Sequence, residues 1–128
     1  MAYFTTLGNV DSNHQQQLAS RVGKPKGVYW TVSQHADVGD IVLFYITAPT
    51  SAVVAKGIVR SKPIPKSHER YKKKHWADID QIMMLESPLK IRFLKEKFPQ
   101  WGWLRNPMVS CEIPAEIHRE LDELIGGR

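Results

Sequence analysis

This chain has almost no cysteine. Cys111 is the only one, so neither an intrachain disulfide nor a multi-cysteine metal site can form, and a reducing cytoplasm fits. The lone thiol reads as a small packing residue at a strand end. Long apolar runs are missing too: nothing approaches the ~20 residues of a membrane span, so no membrane is expected as a partner. The N-terminus lacks a secretory pattern, since its first apolar residues mix with Thr and Asn. There is no internal repeat, low-complexity tract or linker. The 128 residues therefore suggest one monomeric domain, 1–128, long enough to bury a sizeable core. With 42% hydrophobic and 24% charged residues, it falls among folded rather than disordered chains.

Catalytic signatures are also scarce. The five histidines (His14, His35, His68, His75, His118) fall on different expected elements and share no ligand spacing. There is no His-Glu-x-x-His, no P-loop and no Gly-x-Ser-x-Gly. Asp78 and Asp80 stand two apart, so on a strand both face one side. Paired carboxylates can hold a metal or share a proton, but the plainer reading is a solvated strand face. No catalytic residue, metal or cofactor is implied.

Acids are nearly absent from one region. Between Arg60 and His75 the cations Arg60, Lys62, Lys66, Arg70, Lys72, Lys73 and Lys74 face only Glu69. That local excess of six positive charges exceeds the whole chain's net +5. A concentrated basic loop suits a polyanion, because each neutralised phosphate releases counterions. A solvated loop that keeps the protein soluble is the alternative.

Among the features present, Asp37-Val38-Gly39-Asp40-Ile41-Val42-Leu43-Phe44-Tyr45-Ile46 stands out. Gly39-Asp40 reads as a turn, followed by a strongly apolar strand to Thr47 and, after Thr47–Ser51, by a second over Ala52–Ser61. Near-continuous apolar character means burial on both faces or a closed barrel. Further strands are expected at Tyr3–Leu7, Val28–Val32, His75–Ile82 and Met108–Ile113. Helices are expected from Asp11 or Ser12 through Val22, from Ser87-Pro88 to about Lys97, and over Ala115–Ile125. The last carries a stripe of Ile117, Leu121, Leu124 and Ile125 that should be buried. Lys62–Lys74 reads as a long loop with a short helix at Ser67–Lys73. About six strands and three or four flanking helices make an α+β, mostly antiparallel β-barrel.

Aromatic residues carry the more specific signal. The four tryptophans are Trp30, Trp76, Trp101 and Trp103, and at least two should be structural. Tyr29 and Trp30 are consecutive on an expected strand and must point to opposite faces. Trp101-Gly102-Trp103 would place two indoles on one side of an extended segment beside Arg105 and Asn106. Aromatics near cations suit base stacking and phosphate contact.

Three stretches carry a resemblance. Lys26-Gly27-Val28-Tyr29-Trp30, Val38-Gly39-Asp40-Ile41-Val42-Leu43-Phe44-Tyr45 and Ser51-Ala52-Val53-Val54-Ala55-Lys56-Gly57-Ile58-Val59 together resemble an EVE domain of the PUA-like superfamily. They are also similar to the related YTH domains. The resemblance implies a pseudo-barrel that binds nucleic acid, DNA or RNA, and holds one flipped, methylated base in an aromatic-walled pocket. It makes Trp30, or its neighbour Tyr29, the first wall. Thr31 supplies backbone contacts, Asn9 reads the base edge, and Thr47–Ser51 borders the pocket, so that Tyr45 and Ser51 join it. Tyr71, Trp101 and Trp103 are candidates for the second wall. Arg60, Lys62, Lys66, Arg70, Lys72, Lys73 and Lys74 would hold phosphates. The rival is an ASCH-like hydrolase acting on a nucleoside or small amide, from another PUA-like branch. Its Gly-x-Lys-x-x-Glu-x-Arg pattern is missing here, and the nearest match, Gly23-Lys24-Pro25-Lys26, lacks the glutamate and arginine. A module docking partners through the terminal helix is a further alternative.

Overall fold

The computed structural model describes residues 1–68 and 71–126, with the backbone alone at 67–68 and 71–73. Six strands form one mixed sheet: β1 (Tyr3–Gly8), β2 (Val28–Val32), β3 (Ile41–Ile46), β4 (Ala52–Val59), β5 (Ile64–His68) and β6 (Tyr71–Lys90). The described helices are α1 (His14–Ala19), α2 (Ile91–Lys97) and α3 (His118–Ile125), with 3-10 turns at Gly102–Arg105 and Ala115–Ile117. The strand order is β1-β3-β4-β6-β2, with β5 also on β6. β1 and β3 run parallel, and the other pairings are antiparallel.

The sheet curls into a half-barrel because β3 and β4 are apolar on both faces. Phe44 and Val54 face the interior with Phe4, Trp30, Val32 and Ile79. Leu43, Tyr45 and Val53 face outward, where Leu94, Phe98, Trp101, Ile117 and Leu121 cover them. Thus α2, the 3-10 turns and α3 cap the convex side. Of the expected stripe, Ile117 and Leu121 are fully buried and Ile125 nearly so, while Leu124 is partly buried. The Asp37–Asp40 turn is real. Asp40 accepts from the Ala2 N–H at 3.0 Å and the Asp37 N–H at 2.8 Å, tying the start of β1 to β3.

The two ends of the curled sheet, β1 and β2, meet without being ladder neighbours. Side chains fasten the seam. The Thr6 hydroxyl donates to the Thr31 carbonyl at 2.6 Å, and the Trp30 indole N–H donates to the Leu7 carbonyl at 3.0 Å.

Several expectations change. The helix anticipated from Ser87-Pro88 begins only at Ile91, and β6 runs on to Lys90. Leu89 pairs with Val53 and Met84 with Ala55, so β6 fits extra residues, Ser87 and Pro88 among them, opposite Val54. A bulge there leaves proline's missing donor without cost to the ladder. The basic loop instead contributes the paired strands β5 and β6, with strand at 67–68 and 71–73 where a helix at Ser67–Lys73 was expected. The last strand shrinks to one bridge, Phe4 to Glu112. Around it, Thr5 donates its N–H to the Cys111 carbonyl at 2.8 Å. Helix α1 starts at His14, after Asn13 in the left-handed conformation, rather than at a capping Asp11 or Ser12.

Candidate nucleic-acid interface

A cleft of about 870 Å³ opens along the seam between β1 and β2. It exists because the sheet is fastened there by two side chains and not by a ladder. The free edge of β2 forms one bank, so residues from both faces of that strand reach it. Trp30 lies inward and is 6% exposed, with one edge contact on Phe44 at 5.3 Å. Tyr29 lies outward and is 42% exposed. The alternation expected for this pair holds, and both residues line the cleft.

Tyr29 stacks beside Trp76 of β6, with centroids 5.4 Å apart and planes 19° from parallel. Lys66 of β5 places its ammonium 4.6 Å from the Tyr29 ring centroid, a cation–π arrangement. Lys74 and His75 complete that bank. The opposite bank holds Leu7, Gly8 and Asn9 from the end of β1, His14 and Gln17 from α1, and the 108–110 segment. Met108 and Val109 are 65% and 64% exposed. They are held in place by Trp103, whose indole N–H donates to the Val109 carbonyl at 2.6 Å. No carboxylate lines the cleft among the described residues, whose charged members are Lys66 and Lys74.

In an antiparallel pair each residue turns both backbone groups to the same neighbour. Thr31 turns its carbonyl to Thr6, so its N–H also faces the seam. By alternation Val28, Trp30 and Val32 bond to β6 while Tyr29 and Thr31 face the cleft. Thr31 thus offers a backbone donor, although its carbonyl already serves the fastening.

Of the expected pocket residues, Asn9, Tyr29, Trp30 and Thr31 come together here, as do the cations Lys66 and Lys74. Asn9 keeps its side-chain NH2 donors for a ligand. Its side-chain oxygen accepts from the Ser12 N–H at 2.7 Å and its own N–H is engaged by His14. Four others lie elsewhere. Tyr45, Trp101 and Trp103 belong to the convex cluster, where Trp103 stacks on Trp101 at 5.5 Å and meets Tyr45 edge-on at 5.4 Å. The Trp101–Trp103 stretch coils into a 3-10 turn instead of extending, which buries the first indole. Ser51 accepts the Ile91 N–H at 2.9 Å, and of its loop it is Thr47 that borders the cleft.

Arg60 is drawn to Asp80 at 2.7 Å and is not among the lining residues, and neither is Lys62. The expected phosphate contacts Arg70, Lys72 and Lys73, and the candidate wall Tyr71, lie outside the described side chains. The residues not anticipated are Trp76, His14 and the 108–110 segment. Trp76 could have been found from period two, because it shares its face with Lys74. No local signal marked the others. Burial pushes the Cys111 thiol above its ordinary value, away from reactivity. Among the described residues there is no cluster of metal ligands, and no helix is long and apolar enough to cross a membrane.

No protein-family model matches the chain, and no curated protein is significantly similar in sequence. Solved structures are similar in fold. A protein of Pseudomonas syringae aligns with TM-score 0.76 over 97% of this chain and 99% of its own, at 14% identity. One from Agrobacterium tumefaciens aligns with TM-score 0.75 over 98% and 94%, at 18% identity. The ASCH protein of Zymomonas mobilis aligns with TM-score 0.68 over 96% and 95%, at 10% identity. At such identities the likeness establishes the fold, which is PUA-like. The resemblance seen in the sequence holds at that level.

Proposed function

We propose that this protein binds nucleic acid and takes one flipped, methylated base into the seam between β1 and β2. One observation carries the reading: the barrel is left unclosed where aromatic rings and lysines converge. The cleft's volume falls within the roughly 300–1,000 Å³ of small-ligand sites. Tyr29, beside Trp76, offers the accessible ring for stacking, and Trp30 forms the floor. Lys66 and Lys74 flank the entrance where a phosphate backbone would pass.

The energetics are compatible. Extruding a base costs a few kcal/mol in a duplex and less in a single strand. Stacking on one aromatic returns about 1–3 kcal/mol. A buried methyl adds about 1 kcal/mol, so selectivity for methylation is modest and phosphate contacts dominate affinity. Among the described lining residues acid–base chemistry would rest on histidine, lysine and tyrosine, without a carboxylate.

The test is a titration of methylated and unmethylated oligonucleotides, single- and double-stranded, against two variants. Tyr29→Ala should keep the fold and weaken binding by roughly 5- to 150-fold, the loss of one stacking contact. Trp30→Ala removes a core indole and should cost about 3–5 kcal/mol of stability, so it cannot report on the pocket alone. Unchanged affinity in Tyr29→Ala would defeat the stacking role. Turnover of a nucleoside without oligonucleotide binding would favour a hydrolase.

A further inference from the structure

His14 is the residue in the cleft whose hydrogen-bonding role the fold sets without ambiguity. It is the first residue of α1, and its ring meets Trp30 edge-on with centroids 4.7 Å apart. The Asn9 backbone N–H donates to its Nδ1 at 2.9 Å. A backbone amide can only donate, so Nδ1 must be the bare nitrogen and the ring proton sits on Nε2. The ring is also packed tightly. A Cβ on Gly8 would fall 3.0 Å from the His14 Cβ and 3.1 Å from its Nδ1, so this close approach needs a glycine. The loop beneath is braced by the Ser12 N–H on the Asn9 side-chain oxygen. Among the described residues Nε2 has no protein partner, yet it is not among the sealed unpartnered atoms. It therefore meets solvent, in a residue that lines the cleft. Burial pushes the imidazole below its ordinary value, which acts in the same direction as the Asn9 contact.

Resting on the nucleic-acid reading above, we infer that His14 is a specificity-determining residue. Its neutral imidazole presents a fixed Nε2–H donor that selects a base edge bearing an acceptor, a ring nitrogen or carbonyl oxygen. A base with an N–H at that position meets donor against donor and is rejected. Protonating the ring would put a second proton against the Asn9 N–H, so the imidazole cannot reverse its role without breaking the turn. Asn9 then also shapes the reader, by holding the His14 ring.

The experiment uses short single strands carrying one test nucleotide. Deaza analogues (3-deazacytosine, 1-, 3- and 7-deazapurines) delete a ring nitrogen, and thio analogues of the carbonyls weaken an oxygen acceptor. The variant is His14→Asn, whose Oδ1 can still accept from Asn9 while nothing reaches the position of Nε2. In the parent protein one analogue should bind about 3–10-fold more weakly than its natural base, the effect of one neutral hydrogen bond. That penalty should vanish in His14→Asn, with thermal stability and the Asn9 and Ser12 amide resonances retained. Persistence of the same penalty in His14→Asn, or no analogue effect in the parent, overturns the role of His14 and leaves the binding function standing. Failure of every strand to bind the parent protein overturns both.

Discussion

Gly27 offers the sharpest test of how the seam is built. It precedes β2, and a Cβ placed on it would lie 1.8 Å from the Ile79 carbonyl oxygen, 2.7 Å from its carbon and 2.6 Å from the Asp80 Cα. All three are backbone atoms of β6, so no rotamer change relieves the contact. Restoring a tolerable separation of about 3.0 Å needs a backbone retreat of about 1.2 Å, more than a hydrogen bond survives. The first rung of the β2–β6 ladder pairs Val28 with Ile79. Losing its two bonds costs about 1–3 kcal/mol, and overpacking adds about 1–3 kcal/mol. Gly27→Ala should therefore be destabilised by about 2–6 kcal/mol, a fall in Tm on the order of 10 °C for a domain of this size. Urea unfolding followed by tryptophan fluorescence gives the stability directly. Oligonucleotide binding should weaken as well, because Tyr29 is two residues along the same strand. A stability within about 0.5 kcal/mol of the parent, with an unchanged m-value, would refute the close approach and the placement of β2.

Two further outcomes separate parts of the molecule. Lys66→Ala should reduce the slope of log affinity against log salt by about 0.7 for a single strand. Arg60→Ala should leave that slope within error, because Arg60 serves Asp80 outside the cleft, and titrations across salt concentrations distinguish the two. The Tyr3 hydroxyl donates to Asp122 at 2.7 Å. Burial first, then that bond, pushes its pKa from 10.0 up to about 12. The folded state keeps this proton longer, so the contribution is complete below pH 10 and is lost as pH rises toward 12. Tyr3→Phe should flatten the fall in urea midpoint across that window, and an unaltered fall would exclude Tyr3 as its source.

Much of the sheet was legible because its strands are locally unambiguous. Ile41–Ile46 and Ala52–Val59 are apolar on both faces, and no other element suits such runs at that length. Tyr29 and Trp30 had to diverge whatever surrounded them. The failures were cases where a local signal met a stronger distant partner. Ser87-Pro88 has the form of a helix start, yet Leu89 finds Val53 across the ladder and 7% exposure beneath the convex cluster. The Trp101–Trp103 pair looked available for stacking, but the hydrophobic gain of burying the first indole draws the segment into the outer core.

The chain by itself determined the class: an α+β barrel, a concentrated basic stretch, and an aromatic pair with one ring inside and one outside. Those follow from period-two alternation and composition, which act within a few residues. Only the tertiary structure decided that the barrel would stay open between β1 and β2, and therefore which aromatics, lysines and histidine share a cleft. Strand order depends on which apolar faces bury each other, and that competition runs over the whole chain. For the same reason His14, unremarkable among scattered histidines, becomes a fixed donor only when Gly8 and Asn9 close around it.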